Sequence, residues 1–188
     1  MLRLRLRGGL RMGELFLGGR IELLQGDLTK LEVDALVNAA NRTLLGGAGL
    51  DAAVHRAAGP ELLEATRKLG GAAPGEAKIT EGFRLPARYV IHAVGPIWHG
   101  GKQGEPELLA SCYRRSLELA RDHELASIAF PAISTGAYRY PVEEATEIAL
   151  RETRAFLEAN ALPNRVIFCC FSRYDLDVYR KLASRLLS

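Results

Sequence analysis

Two glycine-rich segments carry the residues best suited to chemistry, GGAGLD at Gly46–Asp51 and STGAYRYP at Ser134–Pro141. Each follows an apolar run: VNAAN (Val37–Asn41) precedes the first, and IAFPAI (Ile128–Ile133) precedes the second. Glycine permits close backbone approach and positive φ, so that consecutive amides can point at an anion. Two such loops at the mouth of one sheet suit a diphosphate held between them. The polar residues nearby add a sugar to that expectation. Asn38 and Asn41 offer neutral donors and acceptors matched to hydroxyls, and Asp51 and His55 stand one turn apart on the helix expected to follow.

Each of these residues also has a purely structural reading. Asp27, in GDLT directly after an apolar strand, either caps the next turn or accepts a hydrogen bond from an exocyclic amine such as that of adenine. Asn38 and Asn41 either tie down a loop or contact ligand, and their place at the end of a buried strand favours contact. Asp51 suits the first turn of any helix, whose field favours a negative charge there, whereas a nearby diphosphate opposes one. His55 alone reads as a histidine bonded to backbone, but its spacing from Asp51 favours a shared site. No covalent nucleophile emerges: Ser134 lies outside the nucleophile-elbow pattern, and Cys112 falls in a helix without a base. Neither loop carries the phosphate-binding lysine motif or the dinucleotide fingerprint, which removes kinase-like and hydride-transfer chemistry.

The elements that position these residues alternate along the chain. ELFL (Glu14–Leu17) and RIELLQ (Arg20–Gln25) read as a hairpin, and Ala35–Ala40 as a strand buried on both faces. Gly49–Ala58 and Pro60–Leu69 read as helices divided at Gly59-Pro60. Ala77–Phe83 and Arg88–Val94 follow as an antiparallel pair, then a helix from about Pro106 to His123 and a strand at Ser127–Pro131. A helix at about Val142–Ala159, a strand at Arg165–Phe171 and a closing helix at Asp175–Leu187 complete the series. This order predicts an α/β domain with helices on both faces of a mixed sheet and ligand at the carboxyl ends of the strands, where both loops fall.

With 188 residues, 48% of them hydrophobic and 25% charged, the chain suits one soluble domain with a continuous core. No apolar stretch approaches the ~20 residues that span a bilayer, so no membrane association is expected. Cys112, Cys169 and Cys170 form neither an even disulfide framework nor a spaced ligand set, which points to a reducing cytoplasm and no structural zinc. The net charge of +3 owes much to Arg3, Arg5, Arg7 and Arg11, without which the balance is slightly acidic. The alternating LRLRLR reads as an edge strand, an arm, or sequence upstream of a start at Met12. It lacks the aromatic-rich basic surface of a nucleic-acid binder and the uninterrupted apolar centre of a signal peptide. We therefore divide the chain into a basic extension at 1–11 and a domain at 12–188.

Taken together, GDLT, VNAAN, GGAGLDAAVHRAAG, YVIHAVGPIW and FPAISTGAYRYP resemble the macrodomain family, in particular its MacroD-type ADP-ribose hydrolases. The resemblance runs from about Met12 to the C-terminus, and it rests on five segments in the family's order rather than on one glycine loop. It implies a three-layer α/β/α fold with a mixed central sheet and a cleft for ADP-ribose. On that basis Asp27 contacts the adenine amine with Leu28 beside it, and Phe171 stacks on the base. Gly46, Gly47, Ala48, Gly49 and Leu50 in the first loop, with Ser134, Thr135, Gly136 and Ala137 in the second, grip the diphosphate and distal ribose. Tyr138 packs against that ribose, Asn41 bonds it, Asn38 supports the loop, Asp51 matches the catalytic aspartate and His55 is its neighbour.

The implied reaction is hydrolysis at the distal ribose, without metal or cofactor. It releases ADP-ribose from O-acetyl-ADP-ribose or another O-acyl ester, from mono-ADP-ribosylated acidic side chains of proteins, or from a 1''-phosphate. A reader that binds ADP-ribose without turnover is the alternative. Two positions depart from the family, which often has glycine at Ala48 and at Arg139. Alanine narrows the first loop if that position needs positive φ, and Arg139 is expected to point into water.

Overall fold

A computed structural model describes residues 13–188. The LRLRLR segment and the boundary at residue 12 lie outside the described residues. ELF folds back on IELLQ, so β1 (Glu14–Phe16) and β2 (Ile21–Gln25) are antiparallel, with Phe16 opposite Ile21. The apolar run Ala35–Ala40 is β3. α1 (Gly49–Ala58) and α2 (Pro60–Arg67) follow, separated by Gly59 at φ 89°, with Pro60 in the first turn of α2, where its missing N–H costs nothing. β4 (Ala77–Glu81) and β5 (Tyr89–Val94) pair antiparallel. The remainder alternates: α3 (Glu105–Asp122), β6 (Ser127–Phe130), α4 (Val142–Ala159), β7 (Arg165–Cys170) and α5 (Arg173–Leu186).

The seven strands form one sheet in the order β1-β2-β7-β6-β3-β5-β4. The five central strands are parallel and the two outer strands, β1 and β4, antiparallel, which is the mixed sheet the sequence predicts. Side chains alternate across a strand, and the two faces sort accordingly. Leu23, Val37, Ile91, Phe130 and Phe168 pack under α3, α4 and α5. Leu24, Leu36, Val90, Ala129 and Ile167 pack under α1 and α2. The same alternation puts Asn38 and His92 on the α1 face, directly opposite each other in the register of β3 and β5. Both are fully buried, so the site begins inside the core.

Several boundaries move for local reasons. α2 stops at Arg67 rather than Leu69 because the amides of Leu69 and Gly70 bond back to Thr66 and Arg67 and tighten the last turn. β4 ends at Glu81, where the Gly82 amide bonds the Arg88 carbonyl at 2.7 Å and closes the turn. α5 starts at Arg173, earlier than Asp175, because Ser172 Oγ accepts from the Asp175 amide at 3.1 Å and caps the helix. That cap ends β7 at Cys170 and leaves Phe171 outside both elements.

Candidate functional site

The parallel neighbours β6 and β3 deliver the two glycine-rich loops side by side. Between them lies a cleft of about 380 Å³, lined on one side by Asn41, Gly47, Ala48, Gly49, Leu50 and Asp51 and on the other by Ser134, Gly136, Ala137 and Tyr138. Ala48, the residue that precedes α1, supplies no side-chain cap, so the N–H groups of the helix's first turn stay open toward the cleft. Orphan amides and the helix dipole together favour an anion there. Across the cleft, none of the amides from Ser134 to Tyr138 is taken up by a backbone hydrogen bond among the described residues.

The loops reach this shape differently. In the first, Gly46 (φ 90°) and Gly49 (φ 58°) hold left-handed backbone, as expected of glycine. In the second, the left-handed positions belong to Ser134 (φ 66°) and Arg139 (φ 61°), while Gly136 has no positive φ. This corrects the expectation that glycine supplies positive φ in both loops: Gly136 contributes small size, and a Cβ built on it meets nothing within 4 Å. Ala48 stands at φ −103°, so the condition under which alanine would narrow the loop is not met. Arg139 is exposed and forms no ion pair among the described residues.

Asp51 is 5% exposed at the inner end of the cleft. Asn38 Nδ2 donates to its Oδ1 at 2.9 Å, and His55 Nε2 lies 3.5 Å from the same oxygen. The other carboxylate oxygen turns toward the first loop. A Cβ at residue 47 would lie 3.1 Å from Asp51 Oδ2 and 3.2 Å from Asn41 Nδ2, so glycine there leaves both groups room. Asn41 ties its own loop together, donating to the Gly46 carbonyl at 2.9 Å while its Oδ1 accepts from the Thr43 amide and hydroxyl. One Nδ2 hydrogen remains for a ligand. His55 and Asn38 stand behind Asp51 and do not line the cleft, and neither does Gly46, which packs on the His55 ring.

Asp27, Leu28 and Phe171 gather at the opposite end of the strand edge. β2 and β7 are parallel neighbours with Gln25 opposite Cys170, and the Gly26 amide bonds the Cys170 carbonyl, so Asp27 and Phe171 emerge side by side. Phe171 is 89% exposed, so its ring is open to solvent at the edge of the sheet. Asp27 does cap: its Oδ1 accepts from the Thr29 amide at 3.0 Å and hydroxyl at 2.7 Å, closing a 3-10 turn at Leu28–Lys30. Leu28 is buried in the core, which leaves only its backbone for a ligand.

Four residues around the site went unread in the sequence. A Cβ on Gly95 would fall 2.1 Å from Ser134 Oγ, so the second loop reaches the end of β5 only because that residue is glycine. Its place in VGP after a buried strand was the available signal. Glu105, buried at the start of α3, accepts from the amides of His99, Gly101 and Gln103 at 3.0, 2.7 and 2.6 Å. Burial raises its pKa, but these amides, with its own, outweigh burial and hold it at about 2. The remaining two, His92 and Thr80, lie behind Asn38: His92 Nδ1 is 3.4 Å from Asn38 Nδ2, and Nε2 is 3.0 Å from Thr80 Oγ1.

Burial, and then the neighbouring His55, lower the His92 pKa to about 3. Its folded pKa lies below the unfolded value of about 6.5. The unfolded chain therefore takes up a proton that the folded chain refuses, and stability falls as pH drops through that window. His92 alone removes about 2 kcal/mol between pH 7 and pH 5. Urea unfolding at the two pH values checks this: His92→Asn, which cannot titrate, flattens the difference by about that amount, and an unchanged difference contradicts it.

Among the described residues no three His, Cys, Asp or Glu side chains gather as a metal-binding set. Burial pushes the thiols of Cys112, Cys169 and Cys170 up to about 12, so none supplies a thiolate near neutral pH. No helix among the described residues is long and apolar enough to cross a membrane.

A three-layer α/β/α domain with paired loops over the ends of adjacent parallel strands is the architecture of macrodomains. The sequence profile of the Macro domain matches residues 37–149, and this chain belongs to that family. It is 62% identical to a macro domain-containing protein of Chlorobaculum tepidum, over 86% of this chain and 94% of the relative. It is 53% identical to an O-acetyl-ADP-ribose deacetylase of Klebsiella pneumoniae, again over 86% of this chain and 94% of the relative. The Oceanobacillus iheyensis macrodomain with ADP superposes with a TM-score of 0.85 at 45% identity, covering 88% of this chain and 90% of that one. The Trypanosoma brucei macrodomain in complex with ADP-ribose gives 0.82 at 45% identity, over 87% of this chain and 68% of that one.

Proposed function

We propose that this protein binds ADP-ribose along the strand edge and hydrolyses bonds at the distal ribose, releasing ADP-ribose from O-acyl esters or from mono-ADP-ribosylated acidic side chains. From β2 to β3 the edge crosses three strand spacings, roughly 14 Å, a span suited to two nucleoside-sized groups joined by a diphosphate. Phe171 offers the base a stacking face, and Asp27 retains Oδ2 for the exocyclic amine. The two loops surround the diphosphate with open amides, and Asn41, Asp51 and Tyr138 surround the distal ribose.

The observation that carries catalysis is the buried Asp51 carboxylate beside the anion site. Burying a carboxylate costs several kcal/mol unless it is well paired, and placing one near a diphosphate works against binding. A reader gains nothing from it. In the mechanism we favour, Asp51 and Asn41 position and polarise a water whose oxygen attacks the ester carbonyl. The water proton passes to Asp51, with the substrate diphosphate sharing the transfer, and is returned to the ribose oxygen as the acyl C–O bond breaks, which frees the carboxylic acid and ADP-ribose and restores the Asp51 carboxylate. Loop amides stabilise the developing charge. Incubation with O-acetyl-ADP-ribose, a mono-ADP-ribosylated protein and ADP-ribose 1''-phosphate tests the reading: release of ADP-ribose from at least one supports it, and binding without release from all three establishes a reader.

The adenine end gives a separate expected result. Phe171→Ala weakens ADP-ribose binding by about 1–3 kcal/mol through lost stacking. Asp27→Ala weakens it by about 1.5–3 kcal/mol, because a charged acceptor is lost, and lowers fold stability by about 1 kcal/mol through the missing cap. Calorimetry with ADP-ribose and AMP reads both effects, and unchanged dissociation constants would return Asp27 to capping alone.

A further inference from the structure

We propose that His92 is a positioning residue for this hydrolysis: acting through Asn38, it fixes the orientation of the Asp51 carboxylate. The inference rests on the hydrolase reading above and concerns side chains that never touch the cleft. Three strands build the arrangement. Asn38 on β3 and His92 on β5 are register partners, and Thr80 lies on β4 beyond them, all on the face beneath α1 and α2. The distances run 2.9 Å from Asn38 Nδ2 to Asp51 Oδ1, 3.4 Å from Asn38 Nδ2 to His92 Nδ1, and 3.0 Å from His92 Nε2 to Thr80 Oγ1.

Chemistry fixes every donor along this line. An ionised carboxylate only accepts, so the Asn38 amide must present its NH₂ group to Asp51, since its carbonyl there would face another acceptor. The second Nδ2 hydrogen then points at His92 Nδ1, which serves only as a bare nitrogen. The proton of the neutral ring therefore sits on Nε2 and is donated to Thr80. Burial and His55 keep the ring neutral through the working pH range, so the acceptor is always present. Asn38 Oδ1 has no hydrogen-bond partner among the described residues, which leaves the two NH₂ contacts as the bonds that orient this amide. Removing the acceptor at His92 leaves a buried N–H unpaired and weakens the reason for the amide to face Asp51.

The test uses the full chain, with O-acetyl-ADP-ribose turnover and ADP-ribose affinity measured together. His92→Phe lowers kcat roughly tenfold to a hundredfold, the range typical of removing a supporting partner, while the ADP-ribose Kd stays within about threefold. His92→Asn keeps an acceptor attached where Nδ1 was and recovers most of kcat. Thr80→Val, close in shape and half-buried, releases the ring proton and gives an intermediate loss. In an Asp51→Ala background, His92→Phe adds no further loss. Undiminished kcat in folded His92→Phe, or equal losses in the Phe and Asn variants, overturns the proposal. A wild type without turnover would instead overturn the hydrolase reading, and imidazole nitrogen NMR then decides whether His92 orients Asn38: protonated Nε2 with bare Nδ1 supports it, and protonated Nδ1 overturns it.

Discussion

Asp51→Ala retains ADP-ribose binding within about tenfold, ~1.4 kcal/mol, and loses hydrolysis by roughly 10²–10⁴-fold, the usual contribution of a positioned base. The separation follows from where the carboxylate acts. A group that orients and deprotonates water contributes in the transition state and little in the product complex. Its removal also relieves repulsion of the diphosphate, so product affinity holds or rises. Alanine suits the first turn of α1, where Asp51 makes no capping hydrogen bond to the backbone, so the fold persists. Product release followed by chromatography, beside calorimetry, reads both quantities. An undiminished rate in Asp51→Ala would reduce Asp51 to a helix-end residue.

Gly136→Val weakens binding by about a hundredfold or ~2.7 kcal/mol, with turnover falling in parallel. Residue 136 lines the cleft, its backbone is not left-handed, and a Cβ there meets no protein atom within 4 Å. The protein therefore accepts the larger side chain, and the volume filled is the volume through which the loop amides approach a diphosphate. Gly95 is the contrasting position, because a Cβ there collides with Ser134 and the fold itself must shift. Thermal unfolding of Gly136→Val beside its affinity separates the effects: a native-like transition with lost binding is expected, and normal binding in the folded variant rejects the loop's role.

Most of the architecture was legible in the sequence because the alternation of apolar runs and helical stripes is strong. The bounds of β3, α1 and α4 match the expected spans, and the mixed sheet followed from the short turn between β4 and β5. The cleft residues were legible for a different reason: glycine, asparagine and aspartate at the end of a buried strand have few structural uses that also explain one another. What stayed hidden depends on neighbours distant in sequence. His92 looked like one residue of an apolar strand, and only the pairing of β3 with β5 sets it beside Asn38. Gly95 makes way for Ser134, which approaches from far along the chain, whereas Glu105 gathers the amides of the loop just before it and was hidden only because an acid at a helix start has a common structural use. The left-handed Ser134 and Arg139 were likewise unreadable, because non-glycine residues adopt that backbone only where the surroundings impose it.

One time course separates an enzyme from a reader at this cleft, where the buried Asp51 carboxylate stands beside the open amides of α1. Wild-type protein is mixed with a large excess of O-acetyl-ADP-ribose near neutral pH, and free ADP-ribose is followed against the spontaneous rate. An enzyme releases many equivalents of ADP-ribose per protein, well above the uncatalysed background, and that is the expected result. Tight binding of the substrate with release no faster than background would make the protein a reader instead.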